Sequence, residues 1–368
     1  MRRHKLSAFL QLAIAAELNG NPIQAATYYA MHRKIDRRPH MRSVTRAGSI
    51  PGTDTIPQRV RKVPCSFQDI RNLCAELQRQ IRSSSVSIDA IVTPTAGGYF
   101  PAAYLQSRLN IPLYAIGVQR YFDHKGTRLP TPVLNQPLEN YVILTDRNVL
   151  LVDDLAHRGN TLRFVEQYLR KEKRVRDIYL AVLQQKPGCD FGDSRFDQTF
   201  VGEHVEDVWT RFAWDWLPGE FTVRDVTPRY KSGYDYYSYE QVQNIAWDMK
   251  NEIKERAGSI DAILAVGPQG LLAGRLFRTI LSEDHQDGID VYAAMFYGER
   301  LIQAPCEDVL VGKNILVVNS QVDESLRGTH NYLIRRGIKH NTAALFSGAY
   351  GSETTFIGRF INRDIVIE

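Results

Sequence analysis

Apolar positions along the chain fall into short unbroken runs separated by stretches of helical spacing, the pattern of strands buried on both faces and covered by helices. Residues 88–93, 111–118, 148–152 and 177–183 each read as a short buried strand. Between them, residues 66–82, 99–108 and 161–169 carry apolar groups at helical spacing. Strands and helices alternating in this way predict a mostly parallel sheet, whose ligand site lies at the carboxyl ends of its strands. Residues 121–140 are rich in proline and charge and read as a long loop or hairpin. Upstream, residues 6–34 read as two short helices broken at Asn19-Gly20-Asn21-Pro22, and 35–62 as an aperiodic basic linker or surface wrap.

The alternation then starts again. Ser87-Ile88-Asp89-Ala90-Ile91 returns as Ser259-Ile260-Asp261-Ala262-Ile263, and Asn148-Val149-Leu150-Leu151-Val152 is echoed by Asn314-Ile315-Leu316-Val317-Val318. The offsets, 172 and 166 residues, are reconciled by one short insertion or deletion. Two echoes in the same order, each at a strand-to-turn junction, favour an internal duplication over one continuous, longer sheet. The division implied is a helical, basic N-terminal extension over 1–62, a first α/β unit over 63–222 and a second over 223–368.

A chain of 368 residues with 43% hydrophobic positions can fill two cores. No apolar run approaches the roughly 20 residues needed to span a bilayer, which predicts no membrane association and a cytoplasmic protein. The basic start, followed by an apolar run, lacks a small-residue cleavage site and reads as an amphipathic helix. Cys65, Cys74, Cys189 and Cys306 are too scattered for a zinc site or a disulfide framework and read as buried free thiols. The net charge of +5 is concentrated before residue 65. It permits a phosphorylated ligand or nucleic acid, and equally a solvated arm.

Candidate chemistry gathers after the third strand, in Val152-Asp153-Asp154-Leu155-Ala156-His157-Arg158-Gly159-Asn160-Thr161. Two acids at a strand end suit ribose hydroxyls or a hydrated divalent ion, and a glycine turn leading into a helix suits a phosphate. Caps and ordinary solvation are the other reading of such residues. The segment resembles the ribose-phosphate signature of type I phosphoribosyltransferases. That resemblance implies that Asp153 and Asp154 contact the ribose of phosphoribosyl pyrophosphate (PRPP) and reach Mg²⁺ indirectly. It also implies that Ala156, His157, Arg158, Gly159, Asn160 and Thr161 hold the 5′-phosphate. His157 stands where purine-salvage members usually carry an acid, and Arg158 replaces the usual threonine.

Thr93-Pro94-Thr95-Ala96-Gly97-Gly98 looks like the family's pyrophosphate loop, which implies that role for Thr95, Gly97 and Gly98. Lys186-Pro187, followed by Trp209-Thr210-Arg211-Phe212-Ala213-Trp214-Asp215, resembles the end of the xanthine/guanine-type enzymes, with Ala213 in place of a proline. The resemblance implies that Lys186 meets the exocyclic oxygen of a 6-oxopurine and Trp209 covers its ring. The other reading has Trp209, Phe212, Trp214 and Trp216 packing the junction with the second unit. His124, Lys125 and Arg128 fall where the family carries a lid, and also suit a plain charged loop.

In the second unit Asn319 and Ser320 replace the acid pair, and Asp323 and Glu324 fall where a phosphate would sit, so like-sign repulsion opposes PRPP there. The loop Gly267-Pro268-Gln269-Gly270 keeps its glycines, and Tyr234, Tyr236, Tyr237 and Tyr239 suit a domain junction. The fold expected is α/β, two type I phosphoribosyltransferase-like units, each a mainly parallel sheet flanked by helices. The function implied is Mg²⁺-dependent transfer between PRPP and a nucleobase-like acceptor, or the related cleavage of a nucleotide, with Asp153, Asp154 and His157 as the catalytic residues. The alternative is a non-catalytic regulatory protein that binds PRPP or a nucleotide. Self-association, and nucleic acid on the basic arm, stay open as further partners.

Overall fold

Two serines, 172 positions apart, each start the first helix among the described residues of their half of the chain. Ser66 Oγ accepts from Asp69 N at 3.1 Å while Asp69 Oδ2 accepts from Ser66 N at 2.8 Å. Ser238 Oγ accepts from Gln241 N at 3.3 Å while Gln241 Oε1 accepts from Ser238 N at 2.8 Å. Each reciprocal pair satisfies two donors that a helix N-terminus leaves open.

The structure, a computed structural model, describes residues 62–94, 97–121, 128–139, 142–189, 191, 195–216, 234–282, 289–297, 300–305, 307–347, 354–360 and 364–367. The N-terminal extension, His124, Lys125 and Cys306 therefore lie outside the described residues, as do residues 217–233 around the expected unit boundary. The first half runs β1 (Lys62–Cys65), α1 (Phe67–Ser83), β2 (Ala90–Pro94), α2 (Tyr99–Leu109), β3 (Leu113–Tyr121), β4 (Arg128–Gln136), β5 (Asn148–Ala156), α3 (Asn160–Lys171), β6 (Asp177–Gln185), β7 (Gln198–His204) and β8 (Trp209–Phe212). The second runs β9 (Tyr234–Tyr237), α4 (Tyr239–Ala257), β10 (Ala262–Val266), α5 (Gly267–Leu281), β11 (Asp290–Tyr297), β12 (Arg300–Gln303), α6 (Glu307–Leu310), β13 (Ile315–Gln321), α7 (Glu324–Arg335), β14 (His340–Ser347), β15 (Phe356–Phe360) and β16 (Asp364–Ile367). Apart from the short α6, the two lists correspond element by element.

The chain divides into two compact units, residues 1–59 with 117–137, and residues 60–116 with 138–368. In the first of these, the end of β3 runs antiparallel to β4, with Gly117 opposite Gln136 and Tyr121 opposite Arg128. The described residues of the stretch read as a long loop or hairpin are thus largely an antiparallel strand partner of β3. The other unit holds two mostly parallel sheets flanked by helices. One has the order β3-β2-β5-β6-β7, all parallel, and the other β12-β11-β10-β13-β14-β15, parallel except for β12. Two parallel pairs, β1 with β8 and β9 with β16, complete it.

The sequence echoes occupy the same register. Ala90 lies opposite Val149 in one sheet, and Ala262 opposite Ile315 in the other. Asn148 N donates to Asp89 Oδ2 at 2.8 Å and Asn148 Nδ2 to Ser87 O at 2.9 Å. Asn314 N donates to Asp261 Oδ2 at 2.8 Å and Asn314 Nδ2 to Ser259 O at 2.9 Å. The repeated Ser, Asp and Asn residues therefore make the same ties at the base of each sheet.

Both faces of a central strand are covered, as an unbroken apolar run requires. In β10, Ile263 and Ala265 join one core, while Ala262, Leu264 and Val266 join another. The first of these cores crosses from one sheet to the other, taking Ile70 and Leu77 of α1, Leu105 of α2, Ile253 of α4 and Phe277 of α5. Helix α2 packs against α5 inside it. Phe212 stacks on Trp214 with ring centroids 5.0 Å apart, and Thr279 Oγ1 of α5 donates to Trp214 O at 3.0 Å. Trp216 O accepts from Gln243 Nε2 of α4. Phe212, Trp214 and Trp216 thus pack one half against the other, and burying each is worth about 2–3 kcal/mol. Tyr237 is buried on Phe346, with centroids 4.6 Å apart. The side chains of Tyr234, Tyr236 and Tyr239 lie outside the described residues.

Cys65 and Cys74 are buried free thiols, whereas Cys189 is only half-buried, which corrects the expectation for it. Burial pushes the Cys65 thiol up to about 12. Among the described residues no helix is long and apolar enough to cross a membrane.

Candidate active site

Strand β5 runs two residues beyond the acid pair, so Asp153 and Asp154 sit within its end and not after it. The pleat sends the two side chains to opposite faces of the sheet. Asp153 is 9% exposed, and its Oδ1 accepts from Asp154 N at 3.0 Å. Burial holds the Asp153 carboxyl well above the usual carboxylate range, and the charge of Asp154 adds to this. Burial likewise raises Asp154, to about 6; Asp215 pushes the same way and Arg275 opposes. Both acids therefore hold their protons more tightly than exposed carboxyls, and a partner that repays the lost hydration favours their charged forms.

The glycine turn before α2 lies directly against this pair. A Cβ placed on Gly97 would come within 2.6 Å of Asp154 Cγ, and one on Gly98 within 3.0 Å of Asp153 Cα. No larger residue fits either position while the acids stay where they are. A turn and a strand end more than fifty positions apart in the sequence thus meet. Thr95 and Ala96, between β2 and this turn, lie outside the described residues.

Beyond β5 the chain turns through His157, Arg158 and Gly159 into α3. Ala156 is buried and its carbonyl accepts from Lys186 N at 2.9 Å; Arg158 is exposed. Gly159 takes φ 72°, a left-handed conformation that favours glycine, and caps α3 without a side-chain hydrogen bond. No acid stands in the first turn of α3, where Asn160 Oδ1 accepts from the Arg163 guanidinium and Thr161 is half-buried. Backbone N–H groups left without a side-chain cap at a helix start favour an anion.

Lys186 is 5% exposed, and its Nζ lies 3.3 Å from Asp207 Oδ1. His157 Nε2 is 3.6 Å from the same oxygen. The structure therefore joins Lys186 and His157 through an acid on the loop between β7 and β8 that the sequence reading missed. Asp207 stands two positions before Trp209, at the edge of the motif that drew attention to that tryptophan. Trp209 itself is half-buried on β8, opposite Lys62 of β1. Nothing is described of the Arg128 side chain.

A second missed group comes from the other half of the chain. Arg275 of α5 forms an ion pair with Asp215 and opposes the rise of Asp154. Arg278, one turn on, is pushed down to about 10 by burial and by Arg275. With the 172-residue offset these positions match Ala103 and Gln106 of α2, so α5 brings two cations where α2 brings none. The repeat offset, applied to the helices as well as the strands, would have pointed to them.

Among the described residues no group of three or more His, Cys, Asp or Glu side chains is gathered as a metal site. The hard oxygen donors at hand are Asp153 and Asp154. Because they leave the strand on opposite faces, each could give at most one carboxylate, directly or through water, to a hydrated Mg²⁺ whose other positions are filled by water and substrate phosphates.

The matching place in the second half has different chemistry. Ser320 N donates to Asn319 Oδ1 at 2.8 Å, copying the Asp154–Asp153 contact with neutral residues. Helix α7 is capped by Asp323, whose Oδ1 accepts from Leu326 N at 2.9 Å, Ser325 Oγ at 2.6 Å and Asn319 Nδ2 at 3.0 Å. Its carboxylate takes the place that α3 leaves open.

Comparisons with known proteins match the first half of the chain. Residues 61–215 match the model of the phosphoribosyl transferase domain. The chain is 27% identical over 152 residues to a xanthine-guanine phosphoribosyltransferase of Idiomarina loihiensis, covering 41% of this chain and 84% of that one. It is 28% identical over 164 residues to a xanthine-guanine phosphoribosyltransferase of Gluconobacter oxydans, covering 44% and 89%. A solved purine phosphoribosyltransferase from Pyrococcus horikoshii Ot3 is 26% identical, with a TM-score of 0.34, over 45% of this chain and 99% of that one.

Proposed function

We propose, from the premise that residues 61–215 belong to the type I phosphoribosyltransferases, that the protein transfers a phosphoribosyl group between PRPP and a 6-oxopurine-type base, with Mg²⁺. The observation that carries this is the meeting of the Gly97–Gly98 turn with the Asp153–Asp154 pair, next to the uncapped start of α3. The relatives are xanthine-guanine enzymes, which favours an oxopurine as acceptor.

In this reading Asp153 and Asp154 accept from the ribose hydroxyls. The amides from Ala156 to Thr161 cradle the 5′-phosphate, with Arg158 adding a bidentate donor. The turn of Thr95, Gly97 and Gly98 presents its amides to the pyrophosphate, and Arg275 adds positive charge beside the acids. Asp153 and Asp154 would hold Mg²⁺ indirectly, and the ion would neutralise charge on the leaving group. As the bond from C1′ to the pyrophosphate oxygen breaks, the oxygen keeps the electron pair and C1′ gains oxocarbenium character. A base nitrogen supplies the pair for the new bond to C1′, and its proton passes to His157, which Asp207 orients. Lys186 donates to the exocyclic oxygen of the base, sharing its ammonium with Asp207, and Trp209 covers the ring.

The same reading treats 63–222 and 223–368 as two copies of one unit, supported by their matched registers and hydrogen bonds. The second copy serves the first by burying α2 and by supplying Arg275. With PRPP, Mg²⁺ and xanthine, guanine or hypoxanthine, the full chain is expected to release pyrophosphate. Lys186→Met should lower kcat/KM for the base about 10- to 100-fold, the loss of one charged hydrogen bond. Absence of release with all three bases would count against the assignment.

A further inference from the structure

A cavity of about 640 Å³ opens at the strand ends of the second half. Its floor is Asn319, Ser320 and the start of α7, one side is the first turn of α5 at Gly267-Pro268-Gln269, and the opposite wall is α2 of the first half. The volume is that of a small-molecule site. Among its described lining residues there is no Lys, Arg or His, while Asp323 and Glu324 both line it. The walls from α2 are Phe100, Ala103, Gln106 and Ser107, so the two positions that carry Arg275 and Arg278 on α5 are here uncharged.

Three features set the ligand class. The Asp323 carboxylate already occupies the start of α7, held by three donors, so a phosphate meets a filled position and a like charge. Beyond the bonds that hold Asp323, the Gln269 amide and the hydroxyl oxygens of Ser320 and Ser325, as acceptors, offer neutral partners that suit the hydroxyls of a sugar. Phe100 and Phe296 offer apolar faces to a planar ring. We propose that this cavity is a second binding site, for a neutral nucleoside without phosphate.

The site is also placed to influence the first. Helix α2 begins at the Gly97–Gly98 turn beside Asp153 and Asp154, and its Phe100, Ala103 and Gln106 line the cavity. A ligand that settles α2 therefore acts on the turn that borders the acid pair. The proposal of a site does not depend on the catalytic assignment, because its residues and its ligand are different.

The test uses the full chain with guanosine, adenosine and their 5′-monophosphates as probes, following calorimetric binding and hydrogen exchange. At least one nucleoside is expected to protect residues 267–272 and 319–325, with its monophosphate binding there about tenfold more weakly or worse. Asp323→Asn keeps a capping oxygen but removes the charge, and should narrow that gap at least about threefold while leaving nucleoside affinity unchanged. Ala103→Trp, which fills the cavity from its α2 wall, should abolish nucleoside protection, with the melting temperature showing that the chain still folds. If that variant is unfolded, Gln269→Leu gives the same reading by weakening the nucleoside. No protection of these segments by either nucleoside, or a monophosphate that binds there as tightly, overturns the proposal. So does protection that survives both wall variants.

Discussion

At the scale of single residues the acid pair is costly to keep. In the unfolded chain Asp154 titrates near its ordinary 3.8, and in the folded chain near about 6, so the folded state holds the proton more tightly. The stability linked to that proton is complete below the unfolded value and is lost as pH rises through about 6. Asp153 is raised too, again first by burial, and so acts in the same direction. Replacing both with asparagine removes the charge at every pH. The double variant Asp153→Asn/Asp154→Asn is expected to be more stable than wild type near neutral pH, by on the order of 1–3 kcal/mol. Urea denaturation from about pH 4 to 8 should show that advantage shrinking toward the acid end. An advantage that does not change with pH would mean that the acids do not pay for their burial in this way. Both acids were legible in the sequence because they are adjacent and end an apolar run. Asp207 was not, since a lone acid on a surface loop has no pattern, and only folding brings it to Lys186 and His157.

At the scale of elements, strands β2, β5, β6, β10 and β13 followed directly from unbroken apolar runs, because burial on both faces leaves no polar position. Strand β7 escaped notice: its burial is mixed, with exposed residues at both ends, as suits a sheet edge. The pairs β1–β8 and β9–β16 are equally hard to see, since each strand has four residues and its partner is far along the chain. One contact between sheets has no sequence signal at all. Gln303, fully buried at the end of β12, accepts from Ala115 N at 2.8 Å and donates to Ala115 O at 2.5 Å, so a side chain serves as a strand partner for β3. Gln303→Leu keeps the bulk but leaves a buried N–H and C=O unpaired. It is expected to destabilise the protein by about 2–4 kcal/mol, read as a lower denaturant midpoint. A change within a few tenths of that in wild type would show that water replaces the bridge.

At the scale of the whole molecule, the two halves repeat each other's order, register and basal hydrogen bonds, yet differ where a ligand would sit. The first has two acids, a helix start without a side-chain cap and arginines from α5. The second has Asn319 and Ser320, a helix capped by its own Asp323, and a neutral α2 wall. The matched registers of the two halves, and neutral residues in place of a second acid pair, were readable from two short echoes. That α2 and α5 face each other was not, because helix-to-helix packing leaves no register in the sequence. A core that runs from α1 and α2 through α4 and α5 makes separate unfolding of the two sheets unfavourable. Calorimetry is expected to show one cooperative transition for the two sheets, with calorimetric and van't Hoff enthalpies in agreement. Two resolved transitions, each matching one sheet by hydrogen exchange, would contradict a shared core.

The central claim is that Asp153 and Asp154 form the ribose-binding pair of a working PRPP site. Titration calorimetry of PRPP with Mg²⁺, on wild type and on Asp153→Asn/Asp154→Asn, tests it most directly. The account predicts saturable binding to wild type and its loss in a variant that remains folded. Undiminished binding to the variant, or no binding to folded wild type, would contradict it.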